Sequence, residues 1–147
     1  MSSQTITQDH ALAGAGIGAD SGSRGAAWAG RGLSAVAVLF LLFDAVGKLL
    51  EIPPVVAGST ALGYPAGTVF VIGLIELVCV TAYVIPYTSV LGAVLLTGYL
   101  GGAIATHVRV LSPLLTHTLF PIYVAFMIWG GLWLRNTKLR ELLPLRS

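Results

Sequence analysis

The fold is decided by the stretch LGAVLLTGYLGGAIATHVRV at Leu91–Val110. It contains about 20 residues, nearly all apolar or small, which is the length that an α-helix needs to cross the hydrocarbon core of a bilayer. Gly98 and Gly102 lie about one helical turn apart and leave room for a second helix to approach closely. The stretch therefore predicts a transmembrane helix in which these two glycines are helix-packing positions.

The composition of the chain also indicates a membrane protein. Of its 147 residues, 56% are hydrophobic and 10% are charged, whereas about 25% of the residues in ordinary soluble domains are charged. The lipid bilayer is therefore the expected partner of much of the surface. The net charge of +2 is small and the basic residues lie mostly near the chain ends, so nothing supports binding to nucleic acid. The single cysteine, Cys79, lies in an apolar run, and we interpret it as a small buried hydrophobic residue.

Four apolar segments, separated by prolines and turns, predict an all-α fold: a four-helix transmembrane bundle. Proline interrupts these helices because it lacks the N–H group that would continue the hydrogen-bond pattern. Pro53 predicts a short interfacial helix through Leu62, and Pro121 predicts a kink in the last span. The predicted helices are residues 32–50, 67–85, 90–110 and 114–134.

The segments outside this membrane domain, residues 32–134, are expected to lie on one side of the bilayer. Residues 1–31 are rich in Gly, Ala, Ser and Thr, which predicts a disordered tail, and residues 135–147 form a short basic tail. Four spans place both termini on the same side, and most of the Lys and Arg residues lie there. The positive-inside rule therefore predicts that both tails are cytoplasmic.

Three charged residues lie within the first two predicted spans, where each charge costs about 2.5–3.5 kcal/mol on insertion scales. Asp44 and Lys48 are four residues apart and can pair on one helix face. Glu76 lies near the middle of the second span at a similar depth, and it shares a face with Gly73 that points toward a neighbouring helix. Two interpretations stay open. Either the charges pair or are protonated and only stabilise the bundle, or they form a site for protons or a ligand.

The third predicted helix ends in His-Val-Arg. Arg109 follows the two glycines on one helix face, so we expect its guanidinium to pair with Glu76 or Asp44. His107 points elsewhere and is either an ordinary interfacial histidine or a ligand-binding or proton-carrying residue. His107, His117 and Glu76 do not have the spacing of metal ligands, so no metal is predicted.

The ordered combination of LFLLFDAVGKLL, ALGYP, GLIELVCVTAYVIP, TSVLGAVLLTGYLGGAIATHVRV and WGGLWLRN resembles the DoxX-like family over residues 33–143. The resemblance implies a small multi-pass protein of the bacterial inner membrane, built as a four-helix bundle. The polar positions that match are Asp44, Lys48, Glu76, His107 and Arg109. The function of the family is largely undefined. Its name comes from a small subunit of a quinone-linked thiosulfate oxidation system, which suggests a place beside membrane redox chemistry.

Three functional hypotheses follow from these observations. In the first, the polar cluster binds a small ligand or carries protons, in a binding or accessory protein more than an enzyme. In the second, the chain is a quinone-interacting accessory subunit of a membrane oxidoreductase. No cofactor motif is evident, so electron transfer would need a bound quinone or a partner complex. In the third, the charges are purely structural. The glycine pair of the third helix packs either within one bundle or between two copies of the chain.

Overall fold

The computed structural model describes the backbone of residues 3–65 and 67–142 and the side chains of residues 24–65 and 67–141. All regular structure in these ranges is helical, which confirms the predicted all-α class there. The elements are α1 (Ser3–Leu49), α2 (Pro53–Ala61), α3 (Thr68–Val84), α4 (Ser89–Arg109), a π-helical segment (Leu114–Thr118), α5 (Phe120–Arg135) and α6 (Thr137–Leu142).

Local sequence explains the bounds of the central helices. α2 begins at Pro53, whose fixed φ and missing N–H suit the first position of a helix. Gly63 and Gly67 have φ angles of 86° and 85°, a backbone conformation that favours glycine, and they turn the chain between α2 and α3. A short turn at Pro86 joins α3 to α4. Both helices lie within about one residue of their predicted bounds, inside the usual uncertainty of helix ends.

The last predicted span is divided into two pieces. The π-helical segment is closed by bonds in which the N–H groups of His117 and Thr118 both reach the carbonyl of Pro113, at 3.1 and 3.3 Å. α5 then begins at Phe120, with Pro121 in its first turn. Since proline at that position donates no bond to the preceding turn, the helical hydrogen bonds are re-formed there. The kink that Pro121 predicted is thus a break between two helical segments.

α1 begins at Ser3, much earlier than the predicted boundary at residue 32. Residues 24–31 fall in the predicted disordered tail, but here they are helical, and at Gly30 the helix packs against α5. A Cβ on Gly30 would lie 2.7 Å from the Leu134 Cβ and 2.8 Å from the Gly131 carbonyl oxygen. The close contact of two glycines, which a composition argument does not detect, brings this part of the helix against its neighbour. The side chains of residues 1–23 lie outside the described residues.

The basic tail predicted over residues 135–147 contains the short helix α6. Leu139 is only 6% exposed and joins the hydrophobic core. Residues 143–147 lie outside the described residues. The tail is therefore attached to the helices in its first part.

The long helices run alternately up and down. Ser34 on α1 contacts Tyr83 on α3, whereas Lys48 further along α1 contacts Glu76 earlier on α3, so these two helices are antiparallel. The same reasoning makes α3 antiparallel to α4, and α5 antiparallel to both α1 and α4. The pairs that show it are Glu76 with Tyr99, Tyr83 with Gly92, Thr97 with Trp129, His107 with His117, Gly30 with Gly131, and Phe40 with Phe120. It follows that α1 and α4 point in the same direction.

The surface and lengths of these helices are those of a membrane protein. Large apolar side chains face outward, among them Phe43 at 79%, Phe126 at 72% and Leu39 at 68% exposure. In the part of the chain described, three helical stretches are long and apolar enough to cross a membrane: residues 24–49, 89–109 and 114–135. α3 has 17 residues and is shorter, at about 25 Å. A lipid environment is the setting that makes this apolar exterior favourable.

The two ends of the helices are packed differently, and we name them for this difference. The packed end carries Ser34, Tyr83, Gly92 and Ile128, where helices touch backbone to backbone or through buried side chains. The cavity end lies beneath α2, where the helices diverge around an open space. The predicted polar residues lie at the cavity end.

Candidate functional site

The cavity end encloses a space of about 630 Å³, which is within the usual range of small-molecule sites. Its wall is mostly apolar, and every long helix contributes to it. α2 covers it with Val55, Gly58 and Ser59. The polar or titratable side chains in the wall are Asp44, Lys48, Ser59, Tyr64, Thr68, Tyr99, Thr106, His107, Thr116 and His117.

A cluster of four side chains borders this cavity. The Lys48 ammonium donates to Asp44 Oδ2 at 2.5 Å and to Glu76 Oε2 at 2.8 Å, which joins α1 to α3. It also donates to the Tyr99 hydroxyl at 2.8 Å, and that hydroxyl donates to Glu76 Oε2 at 2.8 Å. Tyr99 comes from α4, on the opposite side of the helices from α1. The cluster therefore links three helices through one ammonium group, and we call these four residues the Lys48 cluster.

Glu76 is the most deeply buried member of the Lys48 cluster, with 0% exposure. Its Oε2 accepts from both Lys48 and Tyr99, but its Oε1 is buried and has no hydrogen-bond partner among the described residues. A buried acceptor without a partner costs about 1–3 kcal/mol. Stability alone gives no reason to retain this acceptor.

Asp44 is the most open member of the Lys48 cluster. Its side chain is 36% exposed and lies in the cavity wall, whereas the Lys48 side chain is 14% exposed. Only Oδ2 of Asp44 contacts Lys48, and Oδ1 accepts no hydrogen bond from the described residues. Asp44 therefore brings to the cavity wall a carboxylate with one oxygen that has no donor among the described residues.

The expected pairing of Arg109 with Glu76 or Asp44 is wrong. The Arg109 guanidinium instead donates to the carbonyl oxygen of Leu62 at the end of α2. Arg109 is the last residue of α4, so its long side chain reaches across the connector rather than back into the helices. Lys48 takes the place that was predicted for Arg109, since its side chain turns inward.

Two contacts hold α2 and its connector over the cavity. One is the bond from Arg109 to Leu62, and the other joins the Tyr64 hydroxyl to the Thr106 hydroxyl at 2.7 Å. α2 itself has no buried residue. The cover is therefore attached at its C-terminal side by polar contacts, with little buried apolar area to fix it.

The glycines proposed for helix packing divide into two kinds. Gly73 does lie against α1, because a Cβ there would come within 2.7 Å of the Lys48 Cβ. Gly98 and Gly102 do not serve packing within the described chain, since no described atom lies within 4 Å of the position that a Cβ would take. Both line the cavity. Their missing side chains leave space rather than admit a neighbouring helix.

Two histidines lie at the other side of the cavity. The rings of His107 and His117 are 5.7 Å apart and tilted by 60°. His107 is hydrogen-bonded to Ser112 at 3.0 Å, and His117 to Thr116 at 2.8 Å. Both rings line the cavity, so His107 belongs to the same site as Asp44 and Lys48 even though it lies apart from the Lys48 cluster. Among the described residues no group of three or more His, Cys, Asp or Glu side chains is arranged to hold a metal ion.

Comparison with protein-family models matches residues 32–131 to the model described as the DoxX-like family. The chain belongs to the DoxX-like family. The searches of curated proteins and of solved structures found no match. Membership and the apolar helices together make this chain a DoxX-like membrane protein.

Sequence reasoning missed Tyr99, which contributes the third helix to the site of this DoxX-like protein. Its hydroxyl binds both Lys48 and Glu76. A signal was present, because Tyr99 is the one aromatic residue in the span Leu91–Val110 and it precedes a Gly-Gly pair. A buried tyrosine hydroxyl needs a hydrogen-bond partner, so its position opposite two charged helices was informative.

Proposed function

We propose that this DoxX-like protein crosses the bilayer four times as a four-helix transmembrane bundle, with both termini on the cytoplasmic side of the bacterial inner membrane. The support is the direction of the helices. Because α1 and α4 point the same way, the chain must return across the bilayer between them, and α3 is the element that does so. A helix of 17 residues can span where the bilayer thins or its ends are extended by turns. The basic residues near both chain ends favour the cytoplasmic side.

Cysteine labelling tests this topology. Cys79 is buried, and replacing it with serine gives a background in which Ser2→Cys and Ala57→Cys can be compared. In intact cells with a permeable outer membrane, an impermeant maleimide should label position 57 and not position 2. Labelling of position 2 would contradict the proposed orientation.

We propose further that the cavity binds a small ligand that reaches it from the membrane, and that the protein is a binding or accessory protein more than an enzyme. The observation that carries this proposal is the cavity of about 630 Å³ with the Lys48 cluster in its wall. A purely structural cluster would be expected to fill its surroundings, because voids lose packing energy. Here Gly98 and Gly102 keep the space open, and Asp44 exposes an unused acceptor to it.

A set of glycine variants on one helix tests ligand binding. Gly98→Leu and Gly102→Leu place a side chain into the cavity, whereas Gly101→Leu is a matched control because Gly101 is equally free of neighbours among the described residues and does not line the cavity. The probes are 1-octanol, octanoate and octyltrimethylammonium, measured by equilibrium dialysis against the protein in lipid nanodiscs, with empty nanodiscs subtracted. The wild type and Gly101→Leu should bind at least one probe saturably, and the two cavity variants should not. If no probe binds the wild type saturably, the ligand-binding proposal is wrong.

A quinone is the second candidate ligand, favoured by His107 in the cavity wall as a group that can exchange protons. The Lys48 cluster itself fits the reduced form better than the oxidised form. A quinol hydroxyl could donate to Asp44 Oδ1, whereas the quinone carbonyls need donors, and Lys48 has none left over. When bound, a quinone would supply two-electron redox chemistry that no side chain of this cavity provides. In that case the protein would be an accessory subunit of a membrane oxidoreductase complex.

Solvent extraction of protein purified in native lipid tests the quinone. A quinone that is enriched over bulk lipid in the wild type, and lost in Gly102→Leu, would support it. Equal quinone content in both would exclude the cavity as its site.

Association with a second copy of the chain remains a further proposal. Crosslinking in native membranes should give a dimer in the wild type and in Cys79→Ser, and Gly98→Leu should abolish it. A dimer that persists in Gly98→Leu would show that the face of α4 carrying Gly98 and Gly102 is not the interface.

A further inference from the structure

We propose that the cavity selects a ligand with an apolar body and a cationic head, and that the cation takes the place of a proton held by the Lys48 cluster. This inference rests on the proposed function, because it names the class of ligand for the same cavity. It follows from three observations: where the hydrogen-bond donors of the cluster are used, which oxygen faces the cavity, and how the charges add up.

The hydrogen-bond donors of the Lys48 cluster are already used. An ammonium group has three N–H bonds, and Lys48 directs them to Asp44, Glu76 and the Tyr99 hydroxyl. The single hydroxyl proton of Tyr99 goes to Glu76. A ligand with an anionic or acceptor head would have to break one of these bonds to find a donor within the Lys48 cluster. The cluster is therefore poorly suited to carboxylates, sulfonates and carbonyls.

The cluster does offer an acceptor to the cavity. Asp44 lies in the wall with its side chain 36% exposed, and Oδ1 has no donor among the described residues. An ionised carboxylate only accepts hydrogen bonds, and it attracts positive charge. A ligand head that binds to the Lys48 cluster must therefore donate a hydrogen bond or carry a positive charge.

The charges of the cluster favour the cation. When both are ionised, Asp44 and Glu76 carry two negative charges against the one positive charge of Lys48. The other titratable groups that face them are Tyr99 on α4 and Cys79, one turn from Glu76 on α3. The residues that α2 and α5 contribute to the cavity wall carry no acidic or basic side chain. His107 and His117 lie across the cavity. An uncompensated charge in a membrane interior is costly, so the balance is completed either by one proton, which we place on the buried Oε1 of Glu76, or by one ligand cation, whose binding sends that proton to solvent.

The cavity wall also suits an organic cation. Phe40 and Phe120 meet edge to face with ring centroids 5.1 Å apart, and both line the cavity. Tyr64 and Tyr99 add two further rings to the wall. Aromatic faces attract ammonium groups, most strongly where water is excluded. Most of the remaining wall is apolar, with Leu41, Ile72, Ile75 and Val124 among its residues, and it can accept an alkyl body.

The exchange has a measurable consequence. A cation that replaces a proton releases that proton to solvent, so its affinity rises with pH, whereas a neutral ligand releases none. Octyltrimethylammonium is a suitable probe because its charge is fixed and it has no N–H to lose. Any proton released on binding therefore comes from the protein.

The experiment is isothermal titration of the full chain in nanodiscs at about pH 7.5, where ordinary histidines are mostly neutral. Octyltrimethylammonium, 1-octanol and octanoate are compared in two buffers with different ionisation enthalpies. The ammonium probe should bind about tenfold or more tightly than octanol, with release of about one proton per probe, and octanoate should bind most weakly. Glu76→Gln and Asp44→Asn should each abolish the proton release and the advantage of the ammonium probe over octanol.

The outcomes separate this inference from the proposed function. If octanol binds saturably, and the ammonium probe binds no more tightly or without proton release, the cavity is a ligand site but the inference about its ligand class is wrong. Tighter binding of octanoate would also overturn it. If none of the probes binds the wild type, the proposed function itself fails. A fold check by circular dichroism accompanies each variant, and Glu76→Gln keeps the shape of the side chain, so loss of proton release in a folded variant is informative.

Discussion

The packed end and the cavity end of this DoxX-like protein use the same residue types for opposite purposes. α4 shows this most clearly. A Cβ on Gly92 would lie 2.2 Å from the backbone nitrogen of Tyr83, so this glycine allows two helices to touch. Gly98, on the same helix, has no described atom within 4 Å of its Cβ position and leaves a cavity open. A glycine in a membrane helix is therefore not by itself a packing signal.

The polar networks of the two ends differ in the same way. At the packed end, Tyr83 is 1% exposed and its hydroxyl donates to the Ile128 carbonyl at 2.9 Å. Since that donation uses its one proton, the 2.8 Å bond to Ser34 is donated by the serine. These two hydroxyls are uncharged, hydrogen-bonded and enclosed, while the Arg135 guanidinium lies 5.1 Å from the centroid of the Tyr83 ring and has a buried Nη2 without a partner among the described residues. The Lys48 cluster is charged, borders a cavity, and leaves one oxygen of Glu76 without a partner among the described residues. We infer a further role for the Lys48 cluster because it borders a cavity, whereas the Tyr83 hydroxyl is enclosed by the helices.

The largest effect on stability should come from removing the cation of the Lys48 cluster. Lys48→Met leaves Asp44 and Glu76 without their shared partner, and we expect a loss of about 3–5 kcal/mol in the free energy of unfolding, as for other broken buried ion pairs. Unfolding in mixed micelles of increasing SDS fraction measures it. Adding Glu76→Gln to Lys48→Met should recover part of the loss. A single variant as stable as the wild type would contradict the importance of this pair.

The glycine comparison gives the next largest effect. Gly92→Ala should lower the free energy of unfolding by about 1–3 kcal/mol, because the added methyl overlaps the backbone of α3. Gly98→Ala is its control on the same helix and should be neutral or stabilising by up to about 1 kcal/mol, since alanine favours helix and the space is free. The same micelle titration measures both. Equal destabilisation by the two variants would remove the distinction between the ends.

The two tyrosine hydroxyls should separate stability from binding. Tyr83→Phe removes two satisfied hydrogen bonds at the packed end and should cost about 1–3 kcal/mol, with no change in the affinity for octyltrimethylammonium. Tyr99→Phe frees one Lys48 donor toward the cavity, so it should weaken the preference for the ammonium probe over octanoate. Probe binding and unfolding are measured on the same preparations. Weaker ammonium binding in Tyr83→Phe alone would reverse the assignment of the two ends.

The smallest effect should come from the cover of the cavity. Arg109→Gln removes the bond to the Leu62 carbonyl, but Arg109 is exposed, so the free energy of unfolding should change by less than about 1 kcal/mol. Amide exchange in α2 should become faster, because the helix has no buried residue to hold it in place. Amide exchange is measured by mass spectrometry. Unchanged exchange in α2 would show that the Tyr64 contact and the backbone hold α2 in place without Arg109.

Much of the fold could be predicted from the sequence, since hydrophobic length and proline positions fix helices. The bounds of α3 and α4, the short helix at Pro53 and the break at Pro121 all follow from these local signals. The early part of α1 could not be predicted in this way. Its packing depends on Gly30 meeting Gly131, a contact between residues far apart in sequence.

The candidate site could be predicted in part. The cost of a charge in the membrane selected Asp44, Lys48 and Glu76, and the structure brings these three together. Helix phase alone gave the wrong partner, Arg109, because it shows the face of a residue but not which of two cations reaches across to the acids. The cavity could not be predicted at all, since a void depends on how four helices diverge. No pattern in one helix reports that divergence.

The central claim is that the cavity end binds a ligand and the packed end does not take part. The most direct test is saturable binding of octyltrimethylammonium to Gly102→Leu and Gly101→Leu in nanodiscs, each confirmed to be folded. The two glycines are adjacent, both are free of described neighbours, and only Gly102 lines the cavity. We predict that Gly101→Leu binds as the wild type does and that Gly102→Leu loses binding by about tenfold or more. Equal binding by the two variants would contradict the claim.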